Sequence, residues 1–361
     1  MIAGEASGDL HGANLIKALR RRCPDAQIRA WGGDLMEAEG ATLVKHYRDL
    51  AFMGFVEVVA NLRTILRNMQ LCKADITRFQ PDVVVFIDYP GFNLRVAKWL
   101  RQQNNAGHLH ARSLYYIAPQ IWAWHTSRVH AMKRDLDKVL VILPFEQAFY
   151  EKYGAAAEFT GHPLLDIIPA EVLDTPRQKT IALLPGSRMQ EVKRILPVML
   201  SVVERFPDYT FVVAASGALP VSVYEQYTAA YPRVRVVQGK TYELVQQAQA
   251  ALVKSGTSTL ETALLGTPQV VCYTGNRLSY EIARRLIKIG YISLVNLIAD
   301  APVVEELIQE RFNTDEVERA LRHILEPQHS AQMRLAYREL RHKLGDSGAA
   351  EKAAAVVLAS K

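Results

Sequence analysis

Residues 81–93 read PDVVVFIDYPGFN. The run Val83–Ile87 is apolar at every position instead of every second one, the mark of a parallel strand covered on both faces. Pro90 and Gly91 follow at once, so the chain turns there into a helix. Asp88 stands just past the strand's carboxyl end, the edge at which open parallel sheets hold their ligands. A carboxylate there can take a proton from a substrate hydroxyl, or it can simply start the turn ahead of Pro90. These residues alone leave both readings open.

Working outward, the same kind of run recurs in RSLYYIA, DKVLVIL, KTIALLPG, YTFVVAA, VRVVQG, QAALVKSG and PQVVCYT. Helical stretches fall between them, at 93–103, 189–205, 242–248, 257–265 and 314–325. Strand-helix alternation on this scale predicts a parallel α/β architecture. A strand-free, proline-bearing break, FTGHPLLDIIPAEVLDTPRQK, precedes a fresh strand-helix series. With 361 residues, too many for one comfortable core, two α/β domains are expected. Their bounds are 1–165 and 166–335, and residues 336–361 form terminal helices that could pack on either. Only Met1 to Ala3 precede the first glycine turn, so the natural chain is expected to begin earlier.

Cys23, Cys72 and Cys272 form no paired spacing, which argues for a reducing compartment. No apolar run reaches the ~20 residues of a membrane-spanning helix, and a soluble, cytoplasmic protein is expected. The net charge of +6 is modest. Its placement tells more: from Phe92 to Arg134 no acidic residue occurs, while seven Lys and Arg do. Such a face is either ordinary solvated surface or an attraction for anions, including anionic membranes.

Five further stretches could carry chemistry. The opening AGEASGDLHG spaces Gly4, Gly8 and Gly12 four apart, around Glu5, Ser7 and Asp9. It is neither the dinucleotide nor the P-loop pattern, and it reads equally as an anion-binding turn or a tight turn with Asp9 as a cap. IALLPGSRMQEV and ALVKSGTSTLETALLGTP place Gly186-Ser187-Arg188 and Ser255-Gly256-Thr257 between strand and helix. Helix-start amides, with Arg188 beside them, suit a diphosphate, and Glu261 lies one turn into its helix, where it can accept bonds from ribose hydroxyls. MGFVEVVANLRTILRNMQLCK repeats apolar residues at three and four, with Arg63, Arg67 and Lys73 beside them, as core helices and interfacial helices both do. APQIWAWHTSRVHAMKR gathers Trp122, Trp124, His125 and Arg128, as packing or as the wall of a pocket for a bulky anion. Asp135-Leu-Asp137 has metal-binding spacing but precedes its strand, at the wrong end for a ligand. No metal site is expected.

Taken together, AGEASGDLHG, MGFVEV, PDVVVFIDYPGFN, APQIWAWHTSRV, LPFE, FTGHPLLD, LLPGSRMQEV, KSGTSTLETALLGTPQVV and YISLVNLIA, in this order, resemble the lipid-A-disaccharide synthase family. The resemblance implies a GT-B glycosyltransferase: two Rossmann-like parallel-sheet domains facing a cleft, inverting, with neither metal nor cofactor. The donor would be UDP-2,3-diacylglucosamine and the acceptor 2,3-diacylglucosamine 1-phosphate (lipid X), giving a β-1,6 disaccharide 1-phosphate and UDP.

By the same resemblance Asp88 is the general base. Ser187, Arg188, Gly239, Ser255, Gly256, Thr257, Glu261 and Asn296 bind UDP. Glu5, Ser7, Asp9, Trp122 and Arg128 lie on the acceptor side. Phe55, Val56, Val59, Leu62 and Leu66 would touch the cytoplasmic face of the inner membrane of a Gram-negative bacterium. Gly91 stands where some relatives carry a second acid, so an acid pair is not expected there. Nucleic acid is not an expected partner, and self-association stays open. The rival readings are a UDP-N-acetylglucosamine 2-epimerase, a transferase with another lipid-linked acceptor, and a UDP-sugar-binding sensor without catalysis.

Overall fold

The computed structural model describes residues 1–50, 62–124, 126–275 and 290–360. The chain forms two compact units: Met1–Asp166 with Leu344–Lys361, and Ile167–Lys343.

The first unit's strands are β1 (Ile2–Ala3), β2 (Arg29–Gly32), β3 (Thr42–His46), β4 (Val83–Ile87), β5 (Arg112–Tyr116), β6 (Lys138–Val141) and β7 (Ala157–Phe159). They lie in the order β3-β2-β1-β4-β5-β6-β7, all parallel. The second unit repeats the plan with β8 (Gln178–Leu184), β9 (Thr210–Ala215), β10 (Val234–Gln238), β11 (Ala248–Lys254), β12 (Gln269–Tyr273) and β13 (Glu305–Ile308). Its order is β10-β9-β8-β11-β12-β13, again parallel. In both sheets the strand order reverses beside the unit's first strand, between β1 and β4 and between β8 and β11. That reversal splays the loops at the carboxyl edge and opens a crevice there.

The helices that matter below are α1 (Ala6–Arg22), α2 (Asp34–Ala38), α3 (Leu62–Phe79), α4 (Pro90–Asn105), α5 (Arg128–Asp135), α6 (Pro144–Lys152), α7 (Met189–Leu200), α8 (Thr241–Gln247), α9 (Thr257–Leu264), α10 (Leu294–Ala299), α11 (Thr314–Leu325), α12 (Pro327–Lys343) and α13 (Ala349–Ala359). α4 starts with proline at its first position, where a missing N–H costs nothing. On α3 the buried residues are Asn68, Met69, Cys72 and Ile76, while Leu66 and Leu71 face outward.

The boundaries differ from those expected. α12 runs through position 335 and stays with the second unit, whereas α13 crosses back to the first. There Ala350, Ala353, Ala354 and Val357 pack on Leu15, Ile16 and Leu19 of α1. The Asp166 carboxylate accepts from the backbone N–H groups of Gly348, Ala349 and Ala350, satisfying the start of α13. The strands missing from the sequence reading are β1, which Ile2–Ala3 suffice to form between β2 and β4, and β2, β3, β7 and β13. Three of them are sheet edges, short and half-exposed, and so lack the continuous apolar run that announces a central strand.

Candidate functional site

At the first unit's reversal the Asp88-Tyr89 pair carries left-handed backbone, φ 44° and 51°. Non-glycine residues adopt this reluctantly, at a cost of order 1–3 kcal/mol each, so something must hold them. The Asp88 carbonyl accepts from the Tyr115 hydroxyl at 2.5 Å and from Asn93 Nδ2 at 2.7 Å. Asn93, buried on α4, also donates to the Ile2 and Ile87 carbonyls. The Tyr89 hydroxyl reaches the Leu50 carbonyl at 2.9 Å. The Asp88 backbone is thus clamped, and its carboxyl group is left as the variable part. Burial, reinforced by the negative charge of Glu5, lifts it from the ordinary carboxylate range to about 6, although the Tyr89 amide pulls the other way. A carboxylate so placed is a better base than an exposed aspartate.

The three glycines of the opening turn are explained by packing. A Cβ on Gly4 would stand 2.3 Å from the Tyr89 ring, and one on Gly12 2.7 Å from Met36 Sδ. Asp9 is 3% exposed, and its carboxylate accepts from the N–H groups of Gly33, Leu35 and Met36, so it caps α2 and its oxygens are engaged within the protein. Its expected acceptor-side place is therefore corrected. Glu5 precedes α1 half-buried and Ser7 is exposed. Trp122 donates its indole N–H to Glu146, which also takes the amides of Ile142 and Leu143 at the start of α6. Arg128 opens α5 and is exposed. Phe55, Val56, Val59 and His125 lie outside the described residues, and Leu62 opens α3.

The second unit's reversal holds an open cavity of about 950 Å³, whose wall includes Ser187, Arg188, Gly239, Gly256, Thr257 and Glu261. The Tyr242 hydroxyl on α8 donates to Glu261 Oε1 on α9 at 2.8 Å. Burial raises the Glu261 carboxyl, and bonds from Tyr242 and Ser258 counter that. Gly186 (φ 110°) lets the first loop wrap around Glu191, whose Oε2 would be 2.4 Å from a Cβ there. Glu191 accepts from the amides of Ser187 and Arg188 and pairs with Lys254 at 2.9 Å.

Two expected nucleotide residues are not in that wall. Asn296, 1% exposed on α10, spends its amide on Val304 and Glu306. Ser255 donates to the Ile292 carbonyl at 3.2 Å. Both hold their own loops together. Conversely Lys254, Glu191 and Tyr242 escaped the sequence reading. Glu191 was signalled by its place three residues into the helix, where an acid closes a capping box.

Asp137 accepts from Ser113 and pairs with Arg101 at the amino edge of β6, as its place ahead of the strand implies. One grouping departs from expectation: His323, Glu326 and His329 bring potential metal-ligand atoms within 4.8 Å of one another at the α11–α12 corner. Among the described residues no helix is long and apolar enough to cross a membrane.

The family model described as lipid-A-disaccharide synthetase matches residues 1–359. Lipid-A-disaccharide synthase of Syntrophus aciditrophicus is 40% identical, over 99% of this chain and 96% of its own length. That of Geobacter metallireducens is 37% identical over the same shares. Among solved structures, the glycotransferase of kitacinnamycin superposes with a TM-score of 0.62 at 15% identity, covering 100% of this chain and 98% of that one. UDP-GlcNAc 2-epimerase from Neisseria meningitidis, bound to UDP-GlcNAc, gives 0.58 at 11%, covering 99% and 98%. At such identities these two likenesses concern the fold alone, that of GT-B transferases and related epimerases.

Proposed function

The chain belongs to the lipid-A-disaccharide synthetase family, and from that premise we propose how its two carboxyl-edge sites divide the work. The activity is the family's: a hexosyl transfer from a sugar-nucleotide donor to a lipid acceptor, forming the lipid A disaccharide. In our reading the donor is UDP-2,3-diacylglucosamine, the acceptor is 2,3-diacylglucosamine 1-phosphate, and the product linkage is β-1,6.

The observation that carries the proposal is the contrast in what the two strand reversals offer. One presents a half-buried carboxyl group on a clamped backbone, lifted to about 6. The other presents helix-start amides, an arginine and a half-buried glutamate around an open cavity. Asp88 takes the proton of the acceptor's 6-hydroxyl as that oxygen attacks the donor's anomeric carbon. The bond from that carbon to the diphosphate breaks with inversion, and its electron pair leaves on UDP. Arg188 and the amides of its loop receive the developing charge, the point at which fixed donors lower a barrier most. Glu261, held by Tyr242, accepts from the ribose. With that charge met by the protein, the step proceeds without a divalent metal.

Both substrates bear acyl chains, so the enzyme must meet them at a membrane surface. We place that contact at residues 53–73, where Leu66 and Leu71 are exposed on the described part of α3, beside exposed Arg63 and Arg67.

The decisive assay incubates purified protein with the diacylated donor, with and without lipid X, in EDTA. UDP release and disaccharide formation that both require lipid X are expected. Epimerised donor in the absence of acceptor would overturn the reading, and loss of turnover in EDTA would overturn its metal-free form.

A further inference from the structure

We infer that Glu191 is a built-in occupant of the diphosphate subsite, which UDP must displace, and that Lys254 is the cation for which the two anions compete. This rests on the nucleotide reading of the second unit and deepens it.

Glu191 lies on the third residue of α7, facing back across the loop. Its Oε2 accepts from the N–H groups of Ser187 at 3.1 Å and Arg188 at 3.4 Å. Those are the helix-start amides that a diphosphate would use. Its Oε1 stands 2.9 Å from Lys254 Nζ. Lys254 is the last residue of β11, the strand on the other side of the reversal, and both side chains line the cavity. A carboxylate and a phosphate ask for the same partners, N–H donors and an ammonium. In this structure the carboxylate has them all.

A capping role explains only part of this. Glutamine closes a capping box as glutamate does, so a cap needs no charge and no lysine. The lysine-glutamate pair is little exposed, with side chains at 23% and 18%, so its charges are weakly screened. A diphosphate brought to the same amides would meet the Glu191 charge at close range. It settles when Glu191 swings away and Lys254 exchanges one anion for the other. The device gives up some affinity for UDP and so hastens release of that product.

The test is calorimetric titration of UDP, with uridine as control, into the full-length protein and its E191Q, K254A and K254R variants at low ionic strength. Removing the competing charge in Glu191→Gln, while keeping the cap, should tighten UDP by about tenfold and leave uridine unchanged. Lys254→Ala should weaken UDP by about tenfold or more, and Lys254→Arg should restore most of it. Equal or weaker UDP binding by E191Q would overturn the inference, as would an equal shift for uridine, or unaltered UDP binding by K254A. If the unaltered protein binds no UDP, the nucleotide reading itself falls, which its own titration reveals separately.

Discussion

The two units build the same strand order and the same strand-turn-helix device, yet large side chains are packed against the opening glycines of one, while the turns of the other border an open cavity. In the first unit the glycines after β1 make room for the protein's own side chains, the ring of Tyr89 at Gly4 and Met36 at Gly12. In the second, the loops after β8 and β11 stand around a cavity of about 950 Å³. A glycine-rich turn at a sheet's carboxyl edge is therefore no evidence of a phosphate cradle. What distinguishes the cases is what surrounds the glycines: an aromatic ring and a thioether in the first unit, and one carboxylate, Glu191 at Gly186, beside an open cavity in the second.

That contrast is breakable by substitution. The largest effect is expected at the base proposed for the first unit: Asp88→Ala should lower kcat by about 10²–10⁴ and leave UDP affinity unchanged by titration. Normal turnover would remove the base from the scheme. Next, Arg188→Ala should cost about 10²–10³ in kcat, and steady-state kinetics with saturating donor would read it.

Stability should follow the packing difference. Gly4→Ala, driving a methyl into the Tyr89 ring, is expected to destabilise by about 1–3 kcal/mol in denaturant unfolding. Gly217→Ala, at a cavity-lining glycine with nothing within 4 Å of its Cβ position, should stay within about 0.5 kcal/mol. Equal costs at both glycines would erase the distinction between the packed opening stretch and the open cavity wall.

The smallest effect concerns pH. The Asp88 carboxyl is lifted from 3.8 to about 6 in the folded state, first by burial and then by Glu5. A raised carboxyl favours folding below its unfolded value, and that contribution is lost as pH rises through about 6. Asp88→Asn should therefore be more stable than the unaltered protein at pH 8, by about 1–2 kcal/mol, and should match it near pH 3. The rate of the unaltered enzyme should fall below about pH 6, as the base becomes protonated. A rate flat down to pH 4 would contradict the base assignment.

Much of this was legible in the residues. The central strands and the two loops after β8 and β11 announce themselves as apolar runs ending in small polar residues, and Asp88 stands plainly at the end of one. Residue type at a strand's edge does not reveal whether a polar group is already used. Asp9 and Asn296 look like ligand contacts on paper, but each has its partners inside the protein. Asn93 and Tyr115, which hold the Asp88 backbone, are hidden for the opposite reason: they come from other elements and meet it only in the fold. Edge strands such as β3 and β13 carry mixed polarity because only part of them is covered.

The helix that closes over Leu15, Ile16 and Leu19 comes from the far end of the chain, after Leu344. The ribosome delivers the first unit's opening strands early and this wall only after the whole of the second unit. Until then that apolar flank stays uncovered. A fragment ending at Asp166 would inherit the same gap permanently, so a first unit made to stand alone should carry residues 344–361 as a second, grafted piece.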